Sequence, residues 1–219
     1  MNRIPLVVDL SGQRVVCVGA GPVAASKVLP LLEEGADLVV VAPEAAGSLQ
    51  AAAAEDTTAL TWIRRPYESG DLDGALLAIA ATGVLEVDNR VARDAATRRI
   101  FCVRTDGQGT AAFPAVVRRG PLLLTVSTSG QAPALARRIR QRLEREYGPE
   151  WGELTTLLGE LRTAPEVRAA LQGLDQAERR RRWRAALDAL LGEAAAPVRG
   201  DQLVDAAVEP PQRDPFMRS

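Results

Sequence analysis

The sequence predicts an α/β fold in which a parallel sheet carries helices on both faces, and three observations predict it. Short, wholly apolar, β-branched runs recur through the first hundred residues, helix-like segments separate them, and the first run leads into a glycine turn that opens a helix. Strands buried on both faces read as continuous apolar runs rather than as alternation.

Arg14–Val18 is such a run and ends in glycines. Val23–Glu34 has helical spacing, and Gly35 stops it. Leu38–Val41 is a second strand, closed by Pro43, and Leu60–Arg64 alternates and ends before Pro66. Leu76–Ala80 is a third apolar run, followed by a helix over Leu85–Thr97 and a short strand over Ile100–Val103. The pattern then changes. Ala115–Arg118 and Leu122–Ser127 are β-like, and Arg119-Gly120-Pro121 joins them as a hairpin turn. Pro133 suits a first helical turn, and Ala134–Tyr147 places Leu135, Ile139 and Leu143 on one helix face before Gly148-Pro149 breaks it. Helices follow over Glu153–Arg162, Glu166–Gln172 and Gln176–Leu191. Four parts are expected: residues 1–112 as the sheet domain, 113–147 as hairpin plus helix, 148–194 as a helical domain, and 195–219 as a disordered tail rich in Pro, Ala, Asp and Arg.

Composition narrows the chemistry. With 219 residues, 47% hydrophobic and 25% charged, the chain has enough apolar material for a core. No uncharged apolar run approaches the roughly 18–20 residues of a membrane span. Met1–Leu10 lacks the long apolar stretch of a signal peptide, so a cytoplasmic location is expected. There is no histidine. A His-ligated zinc or haem site, a Ser-His-Asp triad and a histidine base are therefore excluded. Proton transfer falls to carboxylates, tyrosines or the single lysine, Lys27. Cys17 and Cys102 sit in apolar runs and read as reduced core residues. The net charge of −1 argues against a nucleic-acid partner. It hides a basic island: residues 113–147 carry 7 arginines against Glu144 and Glu146, between two acidic flanks. Such an island suits an anionic partner or, alternatively, a solvated helix face.

The sharpest motif is Gly19-Ala20-Gly21-Pro22-Val23-Ala24, a G-x-G-x-x-A run between strand and helix. Gly19 permits the tight turn, Gly21 lets the backbone approach a pyrophosphate, and Ala24 allows close packing of helix on strand. The helix N-terminus offers free N–H groups and the positive end of its dipole to phosphates. In this context the motif predicts a Rossmann-like dinucleotide site, and the alternative is a turn needed only for packing. The second strand ends Val41-Ala42-Pro43-Glu44, so the acid that would hold the ribose hydroxyls falls slightly late, at Glu44. A surface carboxylate is the alternative. No arginine stands nearby in sequence to receive a 2′-phosphate, which favours NAD over NADP.

Several segments in order resemble one family. They are Ile4-Pro5-Leu6-Val7-Val8-Asp9-Leu10, the glycine loop, Val40-Val41-Ala42-Pro43-Glu44, Ile79-Ala80-Ala81-Thr82, Asn89-Arg90-Val91 and Arg99-Ile100-Phe101-Cys102. They continue through Gly120-Pro121-Leu122-Leu123-Leu124-Thr125-Val126-Ser127-Thr128-Ser129-Gly130 and Pro133-Ala134-Leu135-Ala136-Arg137-Arg138, and more loosely Glu178-Arg179-Arg180-Arg181-Arg182-Trp183. Together they resemble the bifunctional precorrin-2 dehydrogenase/sirohydrochlorin ferrochelatase family, the N-terminal module of siroheme synthase. The resemblance implies a Rossmann domain, a hairpin-plus-helix dimerisation segment giving a homodimer, and a small C-terminal helical domain. It implies NAD-dependent oxidation of precorrin-2 to sirohydrochlorin, with Fe(II) insertion as a second activity.

By this resemblance Ala81 and Thr82 join the cofactor residues Gly19, Gly21, Pro22, Val23, Ala24, Pro43 and Glu44. Ser127, Thr128 and Ser129 are implied substrate residues, and Thr128 stands where the family has its functional serine. The family's key carboxylate falls on Asp106. Asp106 also lies past the C-terminal end of an apparent parallel strand, where such sheets present ligands. As Asp106-Gly107 it equally makes a good turn. The arginines of the basic island, Arg118, Arg119, Arg137, Arg138, Arg140 and Arg142, match the carboxylates of an anionic tetrapyrrole. Two departures stand out. Gly83-Val84 replaces the two acids that usually follow Ala-Thr, and the loop Gly107–Pro114 lacks the family's apolar pair between Phe and Pro. Metal ligands are not identifiable. A dehydrogenase that leaves metal insertion to a separate chelatase, and an NAD-sensing regulatory module without catalysis, both remain open.

Overall fold

The computed structural model describes residues 4–54 and 59–192. The segment 195–219, expected to be a disordered tail, lies outside the described residues. The chain forms two compact units, Met1–Pro114 with Ser127–Pro133, and Ala115–Val126 with Ala134–Ser219.

The first unit is built on β1 (Arg14–Val18), α1 (Pro22–Glu33), β2 (Asp37–Val41), α2 (Gly47–Ala54), β3 (Leu60–Ile63), a 3-10 turn at Ser69–Leu72, β4 (Leu77–Ala80), α3 (Leu85–Thr97) and β5 (Phe101–Arg104). The five strands are parallel in the order β3-β2-β1-β4-β5. The apolar runs are continuous because successive residues feed opposite faces. Val15 and Cys17 of β1 and Leu38 and Val40 of β2 join one core with Ala24, Ala25 and Val28 of α1. Val16, Val18, Val39 and Val41 join the other, with Val91 and Ala95 of α3. Burial pushes the Cys17 thiol up to about 12, helped by the Asp88 charge, and the Cys102 thiol to about 11, so both stay protonated at neutral pH. The expected elements match to within a residue at most ends. Two were not anticipated, α2 and the 3-10 turn. α2 is short, and its second half, Ala51–Ala54, has no apolar periodicity to read.

An ion pair between the part-exposed Arg65 and the buried Asp71 braces the 3-10 turn. Arg65 donates from Nη2 to Asp71 Oδ1 at 2.5 Å and from Nη1 to Oδ2 at 2.9 Å, while the Glu68 N–H donates to Oδ2 at 2.8 Å.

The second unit contains β6 (Ala115–Arg119) and β7 (Leu122–Val126), an antiparallel hairpin, with α4 (Pro133–Glu146), α5 (Glu150–Thr163), α6 (Pro165–Leu171) and α7 (Gln176–Gly192). Arg119 closes the C-terminal end of α4, donating to the carbonyls of Tyr147 at 2.8 Å and Glu144 at 2.9 Å. A cation there satisfies orphan carbonyls and suits the helix dipole. α5 runs so close to the hairpin turn that a Cβ on Gly152 would lie 2.8 Å from the Arg119 carbonyl. Leu161, Val167 and Ala186 close a small helical core, against which Trp183 packs.

Candidate active site

The glycine turn follows β1 directly. Gly19 has φ +101, and a Cβ there would sit 2.4 Å from the Ala81 carbonyl oxygen and 2.8 Å from the Thr82 nitrogen. Backbone on both sides leaves no room for a side chain. Gly21 is the reverse. Its φ is −72, and a Cβ would meet nothing within 4 Å. Its requirement is therefore not internal, and the open space over it fits the approach of a pyrophosphate. Pro22 occupies the first helical turn, and it has no N–H to give, so Val23 and Ala24 carry the first free backbone donors. Ala24 is fully buried against the sheet, as the motif requires, while Val23 is exposed.

The other expected cofactor residues gather at the same edge. Pro43 and Glu44 are exposed just past β2, and the Ala46 N–H donates to the Ala20 carbonyl at 2.8 Å, tying that loop to the glycine turn. Ala81 and Thr82 follow β4. The Thr82 hydroxyl is already committed. It donates to Asp88 Oδ1 at 2.7 Å and accepts from the Val84 N–H at 3.0 Å. Thr82 thus contributes backbone to the site rather than a free hydroxyl. The buried Asp88 that fixes it was not anticipated, although its place in the first turn of α3 is a usual one for an acid. Gly83, where the family pattern has an acid, has φ +74.

No arginine stands near Glu44 in sequence, but the sheet brings one to the neighbouring strand end. β3 pairs with β2 in parallel, Val41 opposite Ile63, and the Ala42 N–H donates to the Ile63 carbonyl at 3.1 Å. Arg64, the residue after Ile63, therefore lies at the strand end adjacent to Ala42, two residues before Glu44 in the chain. Sequence distance does not report lateral distance in a sheet.

Asp106 lies one strand beyond β4, past the end of β5, where the Thr105 N–H donates to the Ala80 carbonyl at 3.2 Å. Its partner is Arg104, which the sequence reading passed over. Arg104 donates from Nε to Asp106 Oδ1 at 3.0 Å and from Nη2 to Oδ2 at 2.5 Å, and from Nη1 to Asn89 Oδ1 at 2.6 Å. Its side chain is only 5% exposed, and this fork satisfies a cation that burial would otherwise penalise. The signal for it was present: a charged residue closes an otherwise apolar strand, two positions before the acid. Desolvation acts to raise the Asp106 pKa. The Gln108 N–H and Arg104 outweigh it and hold the carboxyl below the usual carboxylate range, so Asp106 is ionised at neutral pH. Beside this pair a groove of about 690 Å³ runs along α3, lined by Leu85, Asn89, Arg93 and Arg104 among others.

Ser127, Thr128 and Ser129 make their hydrogen bonds within their own turn before α4. Thr128 Oγ1 accepts from the Ala132 N–H at 3.2 Å, and Ser127 Oγ accepts from the Ser129 N–H at 3.2 Å. Ser129 has φ +53, a left-handed conformation that costs an L-residue about 1–2 kcal/mol. Within the basic island, Arg119 caps α4, and Arg140 and Arg142 pair with Glu144 and Glu146. Arg137 and Arg138 are exposed.

A glycine turn opening a helix, an acid past the second strand and parallel topology define a dinucleotide-binding protein of the Rossmann type. Residues 6–115 match the family described as "Putative NAD(P)-binding", and the chain belongs to that family. Residues 119–146 match the family described as "Sirohaem biosynthesis protein central". The chain is 36% identical over 204 residues to siroheme synthase 3 of Aeromonas hydrophila, covering 92% of this chain and 42% of that protein. It is 36% identical over 214 residues to siroheme synthase of Pseudomonas entomophila, covering 95% of this chain and 45% of that one. It thus spans less than half the length of these curated relatives. Among solved structures, "SirC, precorrin-2 dehydrogenase" shares the fold, with a TM-score of 0.71 over 94% of this chain and 98% of that one at 23% identity.

Proposed function

We propose that this chain oxidises precorrin-2 to sirohydrochlorin with NAD, as a step of siroheme synthesis. The observation that carries the reading is an ionised carboxylate, Asp106, held by a buried arginine two strands along the same sheet edge from the glycine turn. The names of the relatives and of the matching structure supply the substrate.

Gly19, Gly21 and the N–H groups of Val23 and Ala24 would hold the pyrophosphate, and Glu44 the ribose hydroxyls. Bound there, NAD supplies the hydride acceptor. The protein's own tasks are to orient the tetrapyrrole and to take the proton that leaves with the hydride. Asp106 is charged and part-exposed, so it accepts that proton. The fork from Arg104 fixes its direction but also weakens it as a base, which places its contribution near the lower end of the usual 10²–10⁴-fold range, at about 10². The groove beside it offers the apolar Leu85 and the exposed guanidinium of Arg93 to an anionic, largely apolar ring. The strained Ser129 and the hydroxyls of Ser127 and Thr128 form a second polar turn for the substrate.

The further readings are that the protein acts in the cytoplasm as a homodimer. Leu135 and Ile139 are 53% and 37% exposed on α4, an apolar stripe left uncovered among the described residues. Among the described residues no helix is long and apolar enough to cross a membrane. Fe(II) would be a substrate of a following insertion step. The dehydrogenase-only alternative draws support from Gly83-Val84, which stand where the family usually has two acids. Incubation with precorrin-2 and NAD tests the proposal: sirohydrochlorin and NADH should form in equal amounts, and no oxidation by folded, NAD-bound protein overturns it. Fe(II) added to the same reaction separates the one-step from the two-step enzyme.

A further inference from the structure

We infer that Arg64 forms a subsite for a phosphate monoester beside the adenosine ribose, so that the glycine-turn site accepts NADP as well as NAD. The inference rests on dinucleotide binding at Gly19 and Gly21 and is independent of what the protein oxidises.

Three observations carry it. First, position: in this fold the 2′ side of the adenosine ribose lies at the C-terminal end of β2, where an acid selects the free hydroxyl and a nearby arginine accommodates a 2′-phosphate. Arg64 is the first residue past β3 at that same edge, and the Ala42–Ile63 hydrogen bond fixes its lateral place. Second, preorganisation: the Arg64 guanidinium carbon lies 4.3 Å from the centroid of the Trp62 ring. Trp62 is itself anchored, its indole N–H donating to the Ala42 carbonyl at 3.0 Å. The ring thus parks the cation over the end of β2 and leaves the edge of the guanidinium available, because stacking uses only its face. Third, availability: Arg64 is exposed, and among the described residues it makes no salt bridge. The next residue, Arg65, is by contrast tied to Asp71.

Glu44 acts in the opposite sense. Its carboxylate accepts from a free 2′-hydroxyl and repels a 2′-phosphate. An exposed acid and an exposed, stacked arginine at one strand end give a site that tolerates both cofactors rather than one that excludes either. Exposure also limits the effect, because an exposed charge pair is screened by solvent and salt.

The test is equilibrium titration of the full chain with NAD and with NADP by calorimetry, for wild type, Arg64→Met, Arg64→Lys and Glu44→Gln. Methionine keeps an apolar cover on Trp62 and removes the charge. Wild type should bind NADP within about 10-fold of NAD. Arg64→Met should lower the NADP-to-NAD affinity ratio about 10- to 50-fold, from the loss of one charge-assisted contact at a partly exposed site. Arg64→Lys should recover part of it, and Glu44→Gln should raise the ratio. The NADP affinity of wild type should also fall more steeply with salt than its NAD affinity. A wild-type preference for NAD of more than 100-fold overturns the inference. So does an Arg64→Met protein whose two affinities fall together, since that is the signature of a residue that only holds the loop. Wild type that binds NAD but not NADP defeats the Arg64 subsite alone, whereas wild type that binds neither defeats the dinucleotide site itself.

Discussion

A single added methyl group should have opposite consequences at the two glycines of the turn. At Gly19 the substitution Gly19→Ala places a Cβ 2.4 Å from the Ala81 oxygen and 2.6 Å from its carbon, at φ +101. Both obstacles are backbone and cannot swing aside. The conformational strain and the overlap together should cost about 3 kcal/mol. For a domain of this size that is a fall in Tm of roughly 10 °C. At Gly21, Gly21→Ala meets nothing within 4 Å and has an ordinary φ of −72. The only internal loss is a poorer N-cap, at most about 1 kcal/mol, so Tm should move by no more than roughly 4 °C. The methyl instead occupies the space reserved for the pyrophosphate, and NAD affinity should fall at least about 10-fold, equivalent to about 1.4 kcal/mol. Gly21→Asp adds a negative charge at the same place and should abolish binding. Thermal melts and NAD titrations of the three variants separate the effects. If folded Gly21→Ala and Gly21→Asp both bind NAD within twofold of wild type, the pyrophosphate does not lie over Gly21, and the argument from open space fails.

Three further outcomes are expected. Asp106→Asn should keep NAD binding and lose precorrin-2 oxidation by about 10²-fold, since the amide cannot accept the proton; near-normal oxidation would reduce Asp106 to a turn residue. Sedimentation should give a dimer at micromolar concentration, and Leu135→Glu, placed on the uncovered α4 stripe, should dissociate it; a wild-type monomer refutes the stripe as an interface. Desolvation tends to raise the Asp71 pKa, but Arg65 and the Glu68 N–H hold it below its ordinary 3.8. The stability Asp71 contributes is therefore fully present above about pH 4 and is lost as pH falls through its lower folded value. Asp71→Asn should be less stable than wild type at neutral pH, with the gap narrowing in acid melts; a constant gap across pH would assign the loss to packing alone.

The strands were legible because each is a β-branched run bounded by Gly or Pro, and burial on both faces leaves few polar interruptions. β1 and α3 are read to the residue, and the remaining strands and most of the helices differ by a residue or so at their ends. α2 escaped because Gly47–Ala54 is short and ends in four alanines, so it has no polar–apolar periodicity to read, with Leu49 its one buried residue. The glycine turn was legible for a similar reason to the strands. Its chemistry is local, and Gly19, Gly21 and Ala24 each answer a constraint set by the next few residues.

What stayed hidden is lateral. The expectation at Glu44 used the basic residues near it in sequence and found none, yet parallel pairing brings Arg64 to the strand end beside Ala42. Thr82 was read as a cofactor residue without its partner, Asp88, which arrives from the next helix. Asp106 was read as a lone carboxylate, although Arg104 on the same strand end turns toward it and Asn89 of α3 completes the guanidinium's hydrogen bonds. In each case the sequence names the acting residue, and its partner is supplied by the sheet register, the adjoining helix or, for Asp106, the strand end it follows. A parallel sheet assembles its site from the ends of strands that are distant in sequence, so motif reading finds the loop that holds the pyrophosphate. It is poor at finding the charges that choose the cofactor and tune the base. Arg64 lies on the neighbouring strand end and Asp88 on the next helix, while Arg104 lies two residues before Asp106 but shows its role only through the direction its side chain takes, which is why the discriminating experiments here are substitutions at Arg64 and Asp106 rather than in the glycine turn alone.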